Sequence, residues 1–304
     1  MTGVILVCVA AFLWGTVGVA NALMSGARPL DPALVGLART GLGSASLIVA
    51  AALLRVPAVD WRRLPLRLLA LFGLAGAAFQ TCLFAAFVEV GVTVTVAVTV
   101  CAPVVLVIAG DALWKGAMPD RAIVGAAALA TLGVVLALPT STAVPLPRAS
   151  AHGAALLVVA SVAFAVVAAA ARALGASLHP LRASGLGLAA TAIVLAVAAF
   201  ATSGADALSA PGLPGTDLLI IAYTGFAATG GAYFAFVLGM RLSRSAAAGL
   251  AATLIEPGVA ALLAALVLGE SLTLVEAAGC ALMLSAMILL FRAERRLARD
   301  APPG

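Results

Sequence analysis

Apolar residues in this chain come in runs. Stretches of about 20 recur, each long enough to cross a hydrocarbon core of roughly 30 Å as a helix. Polar breaks separate ten such runs, at 3–24, 33–54, 66–88, 92–114, 120–138, 151–172, 181–203, 216–239, 245–268 and 273–292. Only Glu89, Val90 and Gly91 part the third from the fourth, which demands a tight hairpin. The opening "MTGVILVCVAAFLWG" lacks the basic start and cleavage site of a signal peptide and reads as a retained first span. One run contradicts its own pattern. In "LAATLIEPGVAALLAALVLGE", Leu250–Glu270, a carboxylate (Glu256) and a helix breaker (Pro257) stand mid-run.

Composition agrees with the pattern: 64% of residues are hydrophobic, 10% are charged, and the mean hydropathy is +1.21. A soluble domain of this length needs more polar surface. The fold class is therefore all-α integral membrane. The net charge of +5 would suggest nucleic acid on a soluble protein, but its distribution answers otherwise. With the N-terminus inside, fourteen of the seventeen basic residues fall in inner loops and the C-terminal tail. Arg28 and Arg148 are outside and Arg39 lies within a span. This bias, and the even span count, predict both termini to be cytoplasmic, with Trp61 and Trp114 at the inner boundary.

An internal repeat gives the proline a context. Pro103, in "VTVCAPVVLVIAG", precedes Pro257 by 154 residues, and the same offset pairs Gly125 with Gly279. Span 4 thus matches span 9, and span 5 matches span 10. The best linker is the proline-rich Leu138–Arg148, dividing residues 1–142 from 143–304 as two five-span units. Five is odd, so the second unit is inverted. The loop charges agree: loop 2–3 holds four basic residues, whereas loop 7–8 holds Asp206 and Asp217. Inverted repeats with broken helices point to a secondary transporter with its site between the repeats. Pro103 and Pro257 free backbone carbonyls at mid-depth, where only protein or a watery cavity can satisfy them. They are read as gating hinges, with packing kinks as the alternative.

Glu256 alone among the acids sits near mid-span, and its repeat equivalent is Ala102. A charge there costs about 2.5–3.5 kcal/mol and needs compensation or a role. Three readings stand open: an N-cap for the half-helix after Pro257, a proton site, or a contact to a substrate amine. Arg39 lies roughly 9–10 Å from the outer end of span 2. It either snorkels to the interface or faces a cavity, paired with a carboxylate. Nine of the sixteen aromatics fall on spans 3 and 8, which are repeat counterparts. The candidate substrate-binding set is Trp14, Arg39, Phe79, Gln80, Thr99, Tyr223, Thr229, Tyr233 and Glu256. Aromatic walls with a few polar groups suit a small, partly apolar solute. Cys8, Cys82, Cys101 and Cys280 read as small apolar residues. The residues offer no catalytic constellation, metal site, cofactor motif or nucleic-acid partner.

"AFLWGTVGVANAL" in span 1, an Arg in span 2, and "IEPGVAALLAALVLGESLTLVEAAGCALMLSAMIL" resemble the drug/metabolite transporter superfamily, in its ten-helix EamA-type branch. Glu256-Pro257, Gly269-Glu270 and Gly279 carry the resemblance, with Trp14-Gly15 a weaker sign. The first unit departs from the pattern, with Lys115-Gly116 where the family shows Gly-Glu. The resemblance implies a multi-pass permease of the bacterial inner membrane that exports small metabolites by alternating access. Spans 1–4 and 6–9 would surround the cavity and spans 5 and 10 stand at the periphery. The aromatic helices are similar to those of aromatic amino-acid exporters, so amino acids lead as substrates. Alternatives are drugs or other metabolites, or facilitative uniport without proton coupling. Protons as coupling ion, and monomer against homodimer, stay open.

Overall fold

A computed structural model describes residues 2–24, 32–116, 120–137, 150–203, 215–269, 271 and 273–299. Arg28, the Leu138–Arg148 linker, Asp206 and Glu270 lie outside the described residues, as do the side chains of Trp61, Trp114 and Lys115. The ten apolar runs are ten helices. In the first half these are α1 (Thr2–Ala22), α2 (Pro32–Leu53), α3 (Leu66–Glu89), α4 (Val92–Lys115) and α5 (Arg121–Leu136). The second half holds α6 (Ala151–Ser177), α7 (Pro180–Ser203), α8 (Gly215–Leu242), α9 (Ala246–Leu268) and α10 (Leu274–Arg299). Among the described residues, nine are long and apolar enough to cross a bilayer. The exception, α5, has 16 residues and is about 24 Å long.

Most helix ends fall within two or three residues of the hydropathy breaks. Two do not, because helix-forming Ala, Leu and Arg continue the helices after the apolar run stops. Accordingly, α6 runs on to Ser177 and α10 to Arg299. Arg172 is therefore a helical residue rather than a loop residue. Its guanidinium donates to the carbonyls of Met240 at 2.6 Å and Ser243 at 2.7 Å, closing the end of α8.

The packing partners obey a two-fold rule. Helix α3 lies on α6 as α8 lies on α1, α4 lies on α6 as α9 lies on α1, and α2–α7 and α5–α10 pair with their own counterparts. Exchanging the halves leaves this set unchanged, so the fold is two five-helix repeats. Each has an odd number of crossings, so the second is inverted.

Small residues let the helices approach, as packing in lipid requires. A Cβ on Gly43 of α2 would lie 2.9 Å from the backbone nitrogen of Gly230 on α8. A Cβ on Gly15 of α1 would lie 2.9 Å from the carbonyl oxygen of Glu256 on α9. The Trp14-Gly15 pair thus has a geometric reason: glycine seats α1 against the backbone of Glu256.

The repeats differ in regularity. Helix α4 stays α-helical through Pro103, whereas α9 tightens to a 3-10 turn over Ala252–Ile255 just before Glu256. Helix α3 is unbroken, whereas α8 widens to a π turn over Phe226–Gly231.

Candidate functional site

Between the repeats lies a cavity of about 730 Å³. Its walls come from α1, α2, α3 and α4 of the first repeat and from α6, α8 and α9 of the second. Helix α7 packs on α2 and α3 without reaching the cavity, contrary to the expectation from sequence, while α5 and α10 pack on each other away from it.

The lining runs from mid-depth to one end of the bundle. At that end stand Met24 at the close of α1, Phe87 near the close of α3, and Asp217 at the start of α8. Asp217 is 12 residues from Thr229, about 18 Å along the helix. The opposite end is sealed by aromatic packing. Trp14 meets Tyr233 edge-on with centroids 5.4 Å apart, and both rings touch the fully buried Phe236. Tyr233 also meets the buried Phe72. Phe79 and Phe164, 4.9 Å apart, extend this floor up one wall.

Eight of the nine sequence-selected residues are brought to this one cavity: Trp14, Arg39, Phe79, Gln80, Thr99, Thr229, Tyr233 and Glu256. Tyr223 is not. It lies six residues before Thr229 on a partly exposed side of α8, where its hydroxyl shares a 2.7 Å hydrogen bond with Thr16. Aromatic clustering alone could not separate it from Tyr233. Pro257 lines the cavity, while Pro103 is buried in the packing of α4 behind Thr99.

The polar groups are held by their helices. Thr40 donates to the carbonyl of Gly36 at 2.7 Å and receives the Gln80 amide at 3.3 Å, which fixes Gln80 on the α2–α3 wall. Thr99 back-bonds to the carbonyl of Thr95, and Thr229 reaches five residues back to that of Thr224, at 2.8 Å. The latter bond serves a carbonyl that the π turn displaces. The Gln80 Oε1 and the Arg39 Nε remain buried with no hydrogen-bond partner among the described residues.

Glu256 resolves one of its three readings. It is itself helical, with φ −51° and ψ −51°, while Ile255 holds the cap position. No side-chain cap bond forms there, so Glu256 is not an N-cap. Its carboxylate faces the cavity, in electrostatic reach of Arg39. Arg39 feels both Tyr233 and Glu256 and faces the cavity rather than the interface.

Sequence reasoning missed Thr40, Phe164 and the inward placing of Asp217. Phe164 had a signal, being the one aromatic residue in the Ala-rich α6.

The sequence model of the EamA-like transporter family matches residues 1–138 and again 151–292. The chain belongs to that family. This EamA-like transporter carries the family's two units, one per repeat, and is a membrane transporter of small molecules. Among solved structures, 29 chains match. One crystallographic chain is 20% identical, with a TM-score of 0.77, over 97% of this chain and 99% of its own. At that identity the likeness shows the fold alone. No curated protein matches the chain.

Proposed function

We propose that this EamA-like transporter exports amino acids, aromatic or otherwise apolar, across a bacterial inner membrane by alternating access. The observation that carries the reading is the cavity between the repeats. Its volume suits a solute of amino-acid size, its floor and one wall are aromatic, and at mid-depth it presents one cationic and one anionic side chain, Arg39 and Glu256, with Asp217 at its outer end. Both termini are cytoplasmic in this reading, from the basic bias of the loops on that side. The cavity then faces outward, and the aromatic floor is the closed inner gate. Substrate release and return require the α3–α4 and α8–α9 walls to close over the cavity, with Pro103 and Pro257 as joints. Residues 1–142 and 143–304 are the two repeat units in this reading, and each contributes one moving wall.

Counterflow in proteoliposomes tests the carrier. Vesicles preloaded with unlabelled phenylalanine take up labelled phenylalanine transiently and saturably if the protein is a carrier. Unsaturable flux means a pore, and no flux by monodisperse protein removes the amino-acid reading. Direction is tested in cells: expression protects against p-fluorophenylalanine if the protein exports, and sensitises them if it imports. A reporter fused to the C-terminus and active only in the cytoplasm checks the orientation.

A further inference from the structure

Two opposite charges face this cavity, and they belong to different repeats: Arg39 on α2 of the first and Glu256 on α9 of the second. Among the described residues neither side chain makes a hydrogen bond or an ion pair, although each lies in the other's field. Unpaired charges withdrawn from water are expensive, and the expense is met by pairing. In the open state water in the cavity can do this. Once the walls close, that water leaves and another partner is needed.

The third ionisable group of the lining, Asp217, stands at the mouth, about 18 Å along α8 from Thr229, so it does not enter the closed volume. The remaining polar groups there are neutral: Asn21, Thr40, Gln80, Thr99, Thr229 and Tyr233. The closing volume therefore holds one positive and one negative side chain.

Resting on the amino-acid reading above, we infer that Arg39 and Glu256 form a zwitterion clamp. Arg39 takes the carboxylate and Glu256 the ammonium of one substrate, and the pair of contacts draws the repeats together. A monoanion satisfies only Arg39 and leaves Glu256 buried and unpaired as the walls close. A monocation does the reverse. Either can enter the open cavity, but neither is carried. The empty carrier closes by pairing Arg39 with Glu256 directly. Loaded and empty forms then both move with no net charge in the cavity, so transport is electroneutral and needs no proton.

The test uses three probes of one shape in proteoliposomes of the full chain: phenylalanine, 3-phenylpropionate and 2-phenylethylamine. Flux is measured above that of protein-free vesicles. The expected wild-type result is phenylalanine counterflow with both analogues slower by about 100-fold or more, the scale set by stranding one buried charge. An imposed potassium-diffusion potential leaves phenylalanine flux unchanged and drives no accumulation. Glu256→Gln loses phenylalanine exchange and gains 3-phenylpropionate, whereas Arg39→Gln gains 2-phenylethylamine. Should both variants unfold, the wild-type panel and the potential measurement still decide the matter.

Phenylalanine exchanged alongside equal exchange of either analogue overturns the clamp and leaves the carrier standing. Accumulation of phenylalanine driven by the potential overturns electroneutrality and with it the clamp. If monodisperse wild-type protein moves none of the three probes, the amino-acid reading and the clamp fall together.

Discussion

Helices α4 and α9 hold equivalent places in the two repeats, each with a proline near its middle, yet the prolines do different things. Pro103 sits inside a continuous α-helix from Val92 to Lys115, where it leaves the carbonyl of Thr99 without its usual donor. Pro257 stands in the first turn of a new helical segment, where no donor is lost. The break in α9 is the 3-10 turn before it. A 3-10 turn rises about 2.0 Å per residue against 1.5 Å in an α-helix, so four residues gain about 2 Å. That is a little more than one residue's rise. Correspondingly, α4 begins 154 residues before α9 but ends 153 before it.

This accounts for the glycine at Lys115-Gly116, although Ala117 then stands where the second unit has Glu270. Gly116, at φ 59°, and Gly269, at φ 71°, are the same left-handed C-cap of counterpart helices, moved by one residue. The cap amides reach back alike, to Asp111 and to Ala264. The lesson is that the fold keeps the ends of the two helices equivalent and spends the irregularity in the middle of α9, where Glu256 faces the cavity.

The comparison can be broken at several points, and thermal unfolding in detergent measures each. The largest effect is expected from Gly15→Val, because the new side chain meets the backbone oxygen of Glu256 and the side chain of Val259. Overpacking of this kind costs about 1–3 kcal/mol, and here it also displaces Glu256, so counterflow is lost with stability. Unchanged stability would mean that α1 and α9 do not meet at this point.

Next come the prolines, which should part company. Pro103→Ala returns a donor to Thr99 and raises stability by about 1–3 kcal/mol while slowing exchange. Pro257→Ala, in a first turn, changes stability by less than about 1 kcal/mol. Equal effects would make the two breaks equivalent after all. If both proteins transport unchanged, neither proline is a joint.

Thr229→Val probes the π turn, which α3 lacks. It removes the hydroxyl that serves the carbonyl of Thr224 and should cost about 1 kcal/mol. A larger loss of exchange than of stability would tie this turn to the cavity. The smallest effect belongs to Tyr223→Phe, which removes a bond between exposed hydroxyls and should cost about 0.5 kcal/mol with exchange intact. Loss of exchange there would return Tyr223 to the site.

The crossings themselves were legible without coordinates, because a chain that spans lipid as helices needs long apolar runs to satisfy its backbone within each segment. The repeat was legible for a related reason: Pro103 and Pro257 break the hydropathy pattern at one offset. The rarity of charge within spans marked Arg39 and Glu256 for the same reason, since each is too expensive to stand in lipid without a role.

Which side of a helix faces inward was not legible. A span surrounded by lipid and protein carries no clear apolar face, so Tyr223 and Tyr233 looked alike until α1 and α8 were packed together. Tertiary packing also decided that Glu256 lies past the cap, because the 3-10 turn moves the start of the new segment to Ile255. It brought Phe164 from the far half to face Phe79. Local composition sets the free energy of each helix in lipid. Only the crossing of small residues such as Gly15 and Gly43 sets which side chains share a cavity, because those contacts join positions more than 180 residues apart.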